Sequence, residues 1–481
     1  MVKRIAAALG IALVVLIAII VFNTIIFTAE EDEAIALVTH KVNVEQAAQR
    51  LGEAVRFETD STKRRSADFP RFIAWLEETY PTVHTTMERQ LISNQTPLFR
   101  WAGMDASLKP VLLAAHYDVV PVPKASLPDW VHPPYAGMVD ENFVWGRGTL
   151  DDKGAVIALM EAAEAMIAEG FQPKRDVWFS FGHDEEVGGI FGAGAVARKM
   201  RTDGVQFAWI LDEGSFVLDD IIPGLERPIA SINVAEKGTI SIELVAKGAG
   251  GHSSMPPKQT AVGTLARAVD RLQNNPVPGG LDGVTADFFD RLGREFGLPE
   301  RALFANTWLF GPLLENQLAK ANTTNAMLRT TTAPTMLEGS PKVNVLPVEA
   351  RAGVNFRLHP RDSADSLLTH VEEAIDDGEI TIIKPENYSE ASTVSDADAS
   401  GYLAIEKAIR QTFGNVATVP GLTIAATDAR HYGRVADNAY RINPFQIEDH
   451  DLARFHGTNE RLSKDNLRLG ISFYRTLLEA Q

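Results

Sequence analysis

The chain has 481 residues, of which 45% are hydrophobic and 23% charged, and it carries a formal net charge of −17. That length and composition allow two or three packed domains, while the negative charge opposes nucleic acid and an anionic membrane surface as partners of the folded body. With no cysteine anywhere, disulfides, thiolate zinc sites and cysteine nucleophiles are excluded, so any metal must be held by His, Asp and Glu.

The N-terminus departs from the globular pattern. Lys3 and Arg4 precede an apolar run from Ile5 to Phe27, interrupted only by Gly10, Asn23 and Thr24, long enough as a helix to cross a hydrocarbon core of about 30 Å. Residues 1–29 read as a retained transmembrane anchor. A cleaved signal peptide is the competing reading, but its apolar region would span about 7–15 residues, and only a weak cleavage signal stands near Thr28-Ala29. Basic residues before the span and the acidic run Glu30 to Glu33 after it predict a cytoplasmic N-terminus with the body on the non-cytoplasmic side; signal cleavage would instead give a secreted protein.

Helical periodicity over residues 40 to 60 and over Phe69 to Tyr80 predicts two packing helices. Three short apolar runs then end in charge: Val111 to Asp118, Val177 to Glu186 and Phe207 to Glu213. Helical patterns at Ala155 to Glu169 and Ala193 to Lys199 alternate with them, which predicts βαβ units and a mostly parallel sheet. In such a sheet ligands bind beyond the carboxyl ends of the strands, where these charges fall.

After Lys237-Gly238 the pattern changes. Strands are expected at Thr239 to Ala246, Ala326 to Met336, Glu349 to Leu358 and Glu379 to Ile383, with helices at Thr260 to Leu272 and Ser363 to Asp376. This β-α-β-β-α-β order is the ferredoxin-like arrangement and marks residues 238–385 as an inserted domain, between 40–237 and 386–481 of the first. Within it Asn274 to Asn325 forms a long excursion with its own helical pattern at Asp287 to Phe296, and a connection of that length usually has a function or covers something. The chain closes with a helix from Lys464 to Glu479.

The segment Trp145 to Ala155, WGRGTLDDKGA, places Asp151 and Asp152 after a glycine turn and before an apolar helix. By local physics alone one of them could simply cap that helix. The strand ends add His116, Asp118, Asp184, Glu185, Glu186, Asp212 and Glu213, and so many carboxylates in one crevice could not all ionise without a counter-charge. Histidine plus carboxylate without cysteine fits a catalytic zinc site, and a bridging carboxylate fits two metals about 3.5–4 Å apart.

Through His116-Tyr117-Asp118, the Gly146 to Gly154 segment, Asp184-Glu185-Glu186, Leu211-Asp212-Glu213 and Gly251-His252-Ser253-Ser254, the chain resembles the M20 metallopeptidases. Within that family GRGTLDDKG, LDEG and the segment Thr427 to Tyr432 are most similar to the carboxypeptidase S and N-acyl amino acid hydrolase (PM20D-type) branch. The resemblance implies an α/β zinc-peptidase-like catalytic domain with an inserted dimerisation or lid domain, a homodimer, and two zinc ions per subunit, with cobalt or manganese able to substitute in vitro. It implies that Asp151 bridges the ions, that His116 and Asp212 complete one, and that Glu186 and His456 complete the other. Asp212 is preferred over Glu213 by the branch pattern. Asp118 would orient His116, Glu185 would be the general base, and a cis peptide would join Asp151 to Asp152. His252 would stabilise the oxyanion, often of the neighbouring subunit's site, and Asn344, Arg357 and Arg430 are candidates for holding a substrate carboxylate. The expected activity is hydrolysis of an amide next to a C-terminal amino acid, in a peptide or an N-acyl amino acid. A catalytically silent binding or scaffold protein on the same fold is the rival reading, and the intact Glu185 and ligand set count against it.

Overall fold

The computed structural model describes residues 1–29, 35–63 and 65–481. The acidic run Glu30 to Glu33, used above to orient the chain, lies outside the described residues. The N-terminal apolar run forms one helix, α1 (Val2–Ile26), long and apolar enough to cross a membrane.

The body begins with the helices Val44–Val55 and Asp68–Thr79, then lays down β1 (Glu88–Ile92), β2 (Thr96–Trp101) and β3 (Val111–His116). It continues through α2 (Lys153–Ala168), β4 (Val177–Gly182), α3 (Ala193–Asp203), β5 (Trp209–Leu218) and β6 (Ile229–Glu236). A second set follows: β7 (Gly238–Lys247), α4 (Ala261–Asn274), α5 (Gly283–Glu295), α6 (Leu298–Phe304), α7 (Thr307–Leu318), β8 (Thr331–Glu338), β9 (Glu349–Leu358), α8 (Ala364–Ile375) and β10 (Ile380–Ile383). The chain then returns through α9 (Ser400–Phe413), β11 (Ala417–Thr423), β12 (Ala439–Ile447) and α10 (Lys464–Glu479).

Eight strands form one sheet in the order β1-β2-β4-β3-β5-β12-β6-β11. Its centre is parallel, β3 with β4 and β5, and β5 with β12. The β1–β2, β2–β4 and β5–β6 pairings are antiparallel, so the sheet is mixed where a mostly parallel one was expected. Connection length explains the first of these: the tight turn through Ser93 and Asn94, both at positive φ, leaves no room for the crossover a parallel neighbour requires. Helices cover both faces. On one, Val156, Ile157 and Met160 of α2 and Leu467, Ile471 and Leu477 of α10 join the main core; on the other, Val196, Ala197 and Met200 of α3 pack with Leu112, Trp178 and Ile210. This burial explains why α2 is apolar nearly all round.

A second, four-stranded sheet has the order β8-β9-β7-β10, with every neighbour antiparallel. Its inner residues, among them Ile240, Ile242, Leu244, Val354 and Phe356, face Leu265 and Leu272 of α4 and Leu367, Val371 and Ile375 of α8 in a core of their own. β9 alternates half-buried and buried at every step, as a strand with one covered face must. The strand expected from Ala326 begins only at Thr331, because Asn322–Leu328 is a short helix whose Leu328 is drawn into an apolar cluster with α5. The excursion does not lie on the four-stranded sheet. Its Phe288, Phe289 and Leu292 pack on Ile229 of β6 and on Ala417 and Val419 of β11, covering the outer edge of the larger sheet.

Candidate metal centre

β3 ends at His116, whose ring is 1% exposed. Its Nδ1 lies 3.0 Å from the carbonyl oxygen of Asp118, an arrangement that keeps a proton on Nδ1 and leaves Nε2 as the atom an ion would take. That Nε2 faces Asp151 Oδ1 at 3.0 Å and Glu213 Oε1 at 3.3 Å. The other oxygen of Asp151, Oδ2, lies 2.6 Å from His456 Nε2, which is 3.6 Å from Glu186 Oε1. Two potential ligand groups, His116 with Asp151 and Glu213, and Asp151 with Glu186 and His456, therefore share one carboxylate.

Each side chain is placed by its local fold. Asp151 stands in the turn before α2, joined to Asp152 by a cis peptide. Asp152 occupies the N-cap position without making a side-chain cap, and both its carboxylate oxygens are buried with no hydrogen-bond partner; the helix-capping alternative does not describe this turn. β4 stops at Gly182, so Glu185 and Glu186 lie in a short 3-10 turn, not on an extended strand, and Gly188 closes the turn at φ +106°, a conformation glycine adopts freely. The carboxylate of Asp118 accepts from the backbone N–H groups of both Glu185 and Glu186 at 3.2 Å. Asp118 thus fixes His116 through its carbonyl and the glutamate turn through its side chain.

Asp212 was expected to reach His116, but the carboxylate that does so is Glu213. β5 pairs regularly with β12 up to Asp212 opposite Arg441, and the next partner is Ser215 opposite Ile442. The two unpaired residues, Glu213 and Gly214, form a bulge, which re-aims a side chain. Gly214 lies so close to β12 that an added Cβ would come 2.7 Å from Arg441 Cβ. Asp212 stands opposite Arg441 in the ladder and belongs to neither ligand group, and Arg441 bonds Glu236 at 2.7 Å.

The electrostatics call for cations. Burial, then the neighbouring carboxylates, push Glu185 well above the usual carboxylate range; burial, outweighing its nearness to His116, pushes Glu213 up to about 8. Burial and Asp151 raise Glu186 as well. Burial would lower His116, yet Glu213, Asp118 and Asp151 outweigh it and raise the imidazole well above its ordinary value. Asp151 and then Glu186 raise His456 to about 10. Glu186 Oε1 and Asp212 Oδ2 are buried and accept no hydrogen bond. A divalent ion in each group would supply the missing charge and displace the imidazolium protons.

The profile of peptidase family M20/M25/M40 matches residues 112–480. The chain belongs to this family. It is 40% identical over 481 residues to the probable carboxypeptidase S-like 2 of Dictyostelium discoideum, spanning 97% of this chain and 92% of that protein. It is 36% identical over 424 residues to the human N-fatty-acyl-amino acid synthase/hydrolase PM20D1, spanning 87% of this chain and 84% of that one. Among solved structures, the M20 family metallo-carboxypeptidase Sso-CP2 from Sulfolobus solfataricus shares the fold at a TM-score of 0.63 and 19% identity, over 90% of this chain and 98% of that one.

In this M20 chain the remaining sequence-derived candidates sit apart from the cluster or at its margin. Arg430 lies in the short helix Ala429–Tyr432, its guanidinium beside Gly188 at the end of the glutamate turn. His252 is exposed and its Nδ1 is 2.7 Å from Ser254 Oγ, while the carbonyl of the exposed Asn344 accepts from the N–H of Ser253. Arg357 stands on β9 opposite Thr239 of β7, near Lys237. Among the described residues no hydrogen bond or ion pair joins His252, Asn344 or Arg357 to the cluster. Asp184 accepts from the N–H groups of Phe191 and Gly192 and shapes the turn.

Sequence reasoning missed the pair that locks the centre. Buried Glu460 accepts from the N–H groups of Gly148, Leu150 and Asp151 and from Arg147, and Arg147 in turn donates to the carbonyls of His456 and Gly457. The pair ties the Asp151 turn to His456, which adopts the left-handed φ of +57°. Arg147 stands inside the glycine-rich motif, but Glu460 carries no sequence signal of its own. Glu460→Gln is expected to cost about 3–5 kcal/mol, because it strands a buried guanidinium; urea unfolding of the variant and parent measures it.

Proposed function

We propose that this chain is a membrane-anchored hydrolase that holds two zinc ions and cleaves the amide bond next to a C-terminal amino acid. The observation that carries the reading is the sharing of Asp151, one oxygen toward His116 and the other toward His456. Asp151 would bridge the ions, with His116 and Glu213 completing one site and Glu186 and His456 the other. Such ions, when bound, polarise the scissile carbonyl and acidify a water molecule. Glu185, buried and held by Asp118, takes a proton from the attacking water and delivers it to the leaving nitrogen. Arg430, beside the glutamate turn, would grip the substrate carboxylate, with Asn344 and Arg357 as further candidates. His252 would steady the oxyanion; its exposed place near the four-stranded sheet suits action across a homodimer formed through residues 238–385.

Two features favour an N-acyl amino acid over a peptide as substrate: the similarity to proteins named N-fatty-acyl-amino acid synthase/hydrolase, and an apolar N-terminal helix that would keep the site near lipid. The likeness to carboxypeptidase S-like proteins keeps C-terminal peptide trimming as the second reading. The full chain, loaded with zinc, is expected to bind two ions by elemental analysis and to hydrolyse members of a paired panel of N-acyl amino acids and dipeptides. Amide hydrolysis that persists in chelated, metal-free protein would sink the proposal.

A further inference from the structure

The excursion between α4 and β8 also holds the end of α1. Helices α6 and α7 meet at Asn306, whose Oδ1 accepts from Asn23 Nδ2 at 2.9 Å and whose Nδ2 donates to the carbonyl of Ile20 at 3.3 Å. Closer to the body, the Arg294 guanidinium lies 4.4 Å from the Phe27 ring centre and donates to the carbonyl of Thr28 at 3.3 Å. The last turns of α1 are thus bound to α5, α6 and α7, while Met1 to Val15 are exposed throughout.

This docking fixes a depth. At a rise of ~1.5 Å per residue, Ile20 lies about 9 Å before the end of α1 at Ile26. Trp308 donates its indole N–H to the same Asn306 side chain at 3.3 Å, so it stands level with the apolar stretch of α1 and not beyond it. Around that point α7 turns an apolar face outward. Trp308 is 59% and Leu313 55% exposed, with Leu309 and Pro312 exposed between them; this i, i+1, i+4, i+5 spacing is one side of a helix. Leu298, at the start of α6, is 61% exposed. Asn23 and Asn306 bond each other across the contact between α1 and α7.

We propose that the outer face of α7, with Leu298, inserts into the outer leaflet of the bilayer that α1 crosses, and so sets the height of the catalytic body above the membrane. The proposal rests on the anchor reading of α1. Because the body is strongly negative, the contact is apolar and requires no anionic lipid. Tryptophan is the side chain best suited to that boundary, with an apolar ring and one polar N–H.

The absence of native cysteine allows single-site labelling of the full chain. Leu313→Cys and, separately, Ile17→Cys would each carry an environment-sensitive fluorophore, in protein reconstituted into phosphatidylcholine vesicles. The label at 313 is expected to be quenched several-fold more by a nitroxide near the lipid headgroup than by a water-soluble quencher, and the label at 17 by a nitroxide deep in the acyl chain. Deep quenching at 17 with 313 open only to the aqueous quencher would overturn the insertion and leave the anchor standing. Lipid quenching at 313 alone would overturn the anchor and, with it, the height-setting role proposed for α7, leaving only a peripheral lipid contact. Aqueous quenching at both positions would overturn both.

Discussion

Glu185→Gln is expected to lower kcat by at least about a hundredfold, the usual contribution of a general base, while leaving fold and metal content nearly intact. The amide keeps the shape of the side chain, and the Asp118 contact is to the Glu185 backbone N–H, which the substitution does not touch. Glu186→Gln should behave differently. Its carboxylate lies against His456 and belongs with Asp151 to a potential ligand group, so the variant should lose metal along with activity, and added zinc should partly restore both. The two glutamates are adjacent in sequence, but successive side chains on a 3-10 turn diverge by about a third of a revolution, which lets one face the reacting water and the other an ion. Near-normal turnover by Glu185→Gln on a substrate the parent cleaves would show the assigned mechanism to be wrong, whatever the metal content.

Much of this centre was legible in the sequence because it sits on elements with strong local signals. His116 ends an unbroken apolar run, Asp151 follows a glycine turn and precedes an apolar helix, and the second sheet announces itself by the alternation of Thr239 to Ala246 and Glu349 to Leu358. What stayed hidden depends on contacts remote in sequence. Arg147 and Glu460 are 313 positions apart, and no periodicity marks a lone glutamate as the acceptor for three backbone N–H groups. Asp428 is similar: it lies in the motif that drew attention to Arg430, yet its role comes from close approach. A Cβ added to Gly182 or Gly189 would collide with its carboxylate, so it fills the space behind the glutamate turn. The excursion is a third case. Its helix was readable, but only the packing of Phe288 and Phe289 on β6 and β11 says which sheet it covers.

Glu213→Gln is expected to cost more than Asp212→Asn, in metal and in rate, and the comparison tests the bulge directly. Removing a partner one step out from a metal typically costs about 10–100-fold in affinity or activity. Loss of a ligand should cost at least as much, so Glu213→Gln should bind fewer than two ions and fall in kcat/KM beyond that range. Asp212→Asn removes a carboxylate on the Arg441 side and should retain both ions. A pH signature accompanies the difference. In metal-free protein Glu213 is raised from the ordinary 4.5 to about 8, so the folded state binds more protons than the unfolded one between those values, and its stability falls as pH rises through them. Zinc supplies the counter-charge and should flatten that slope, as should Glu213→Gln without metal; urea midpoints at several pH values measure both. If Asp212→Asn empties the site while Glu213→Gln keeps two ions and near-parental activity, the ligand is Asp212, and the bulge serves only to bring Gly214 close to β12.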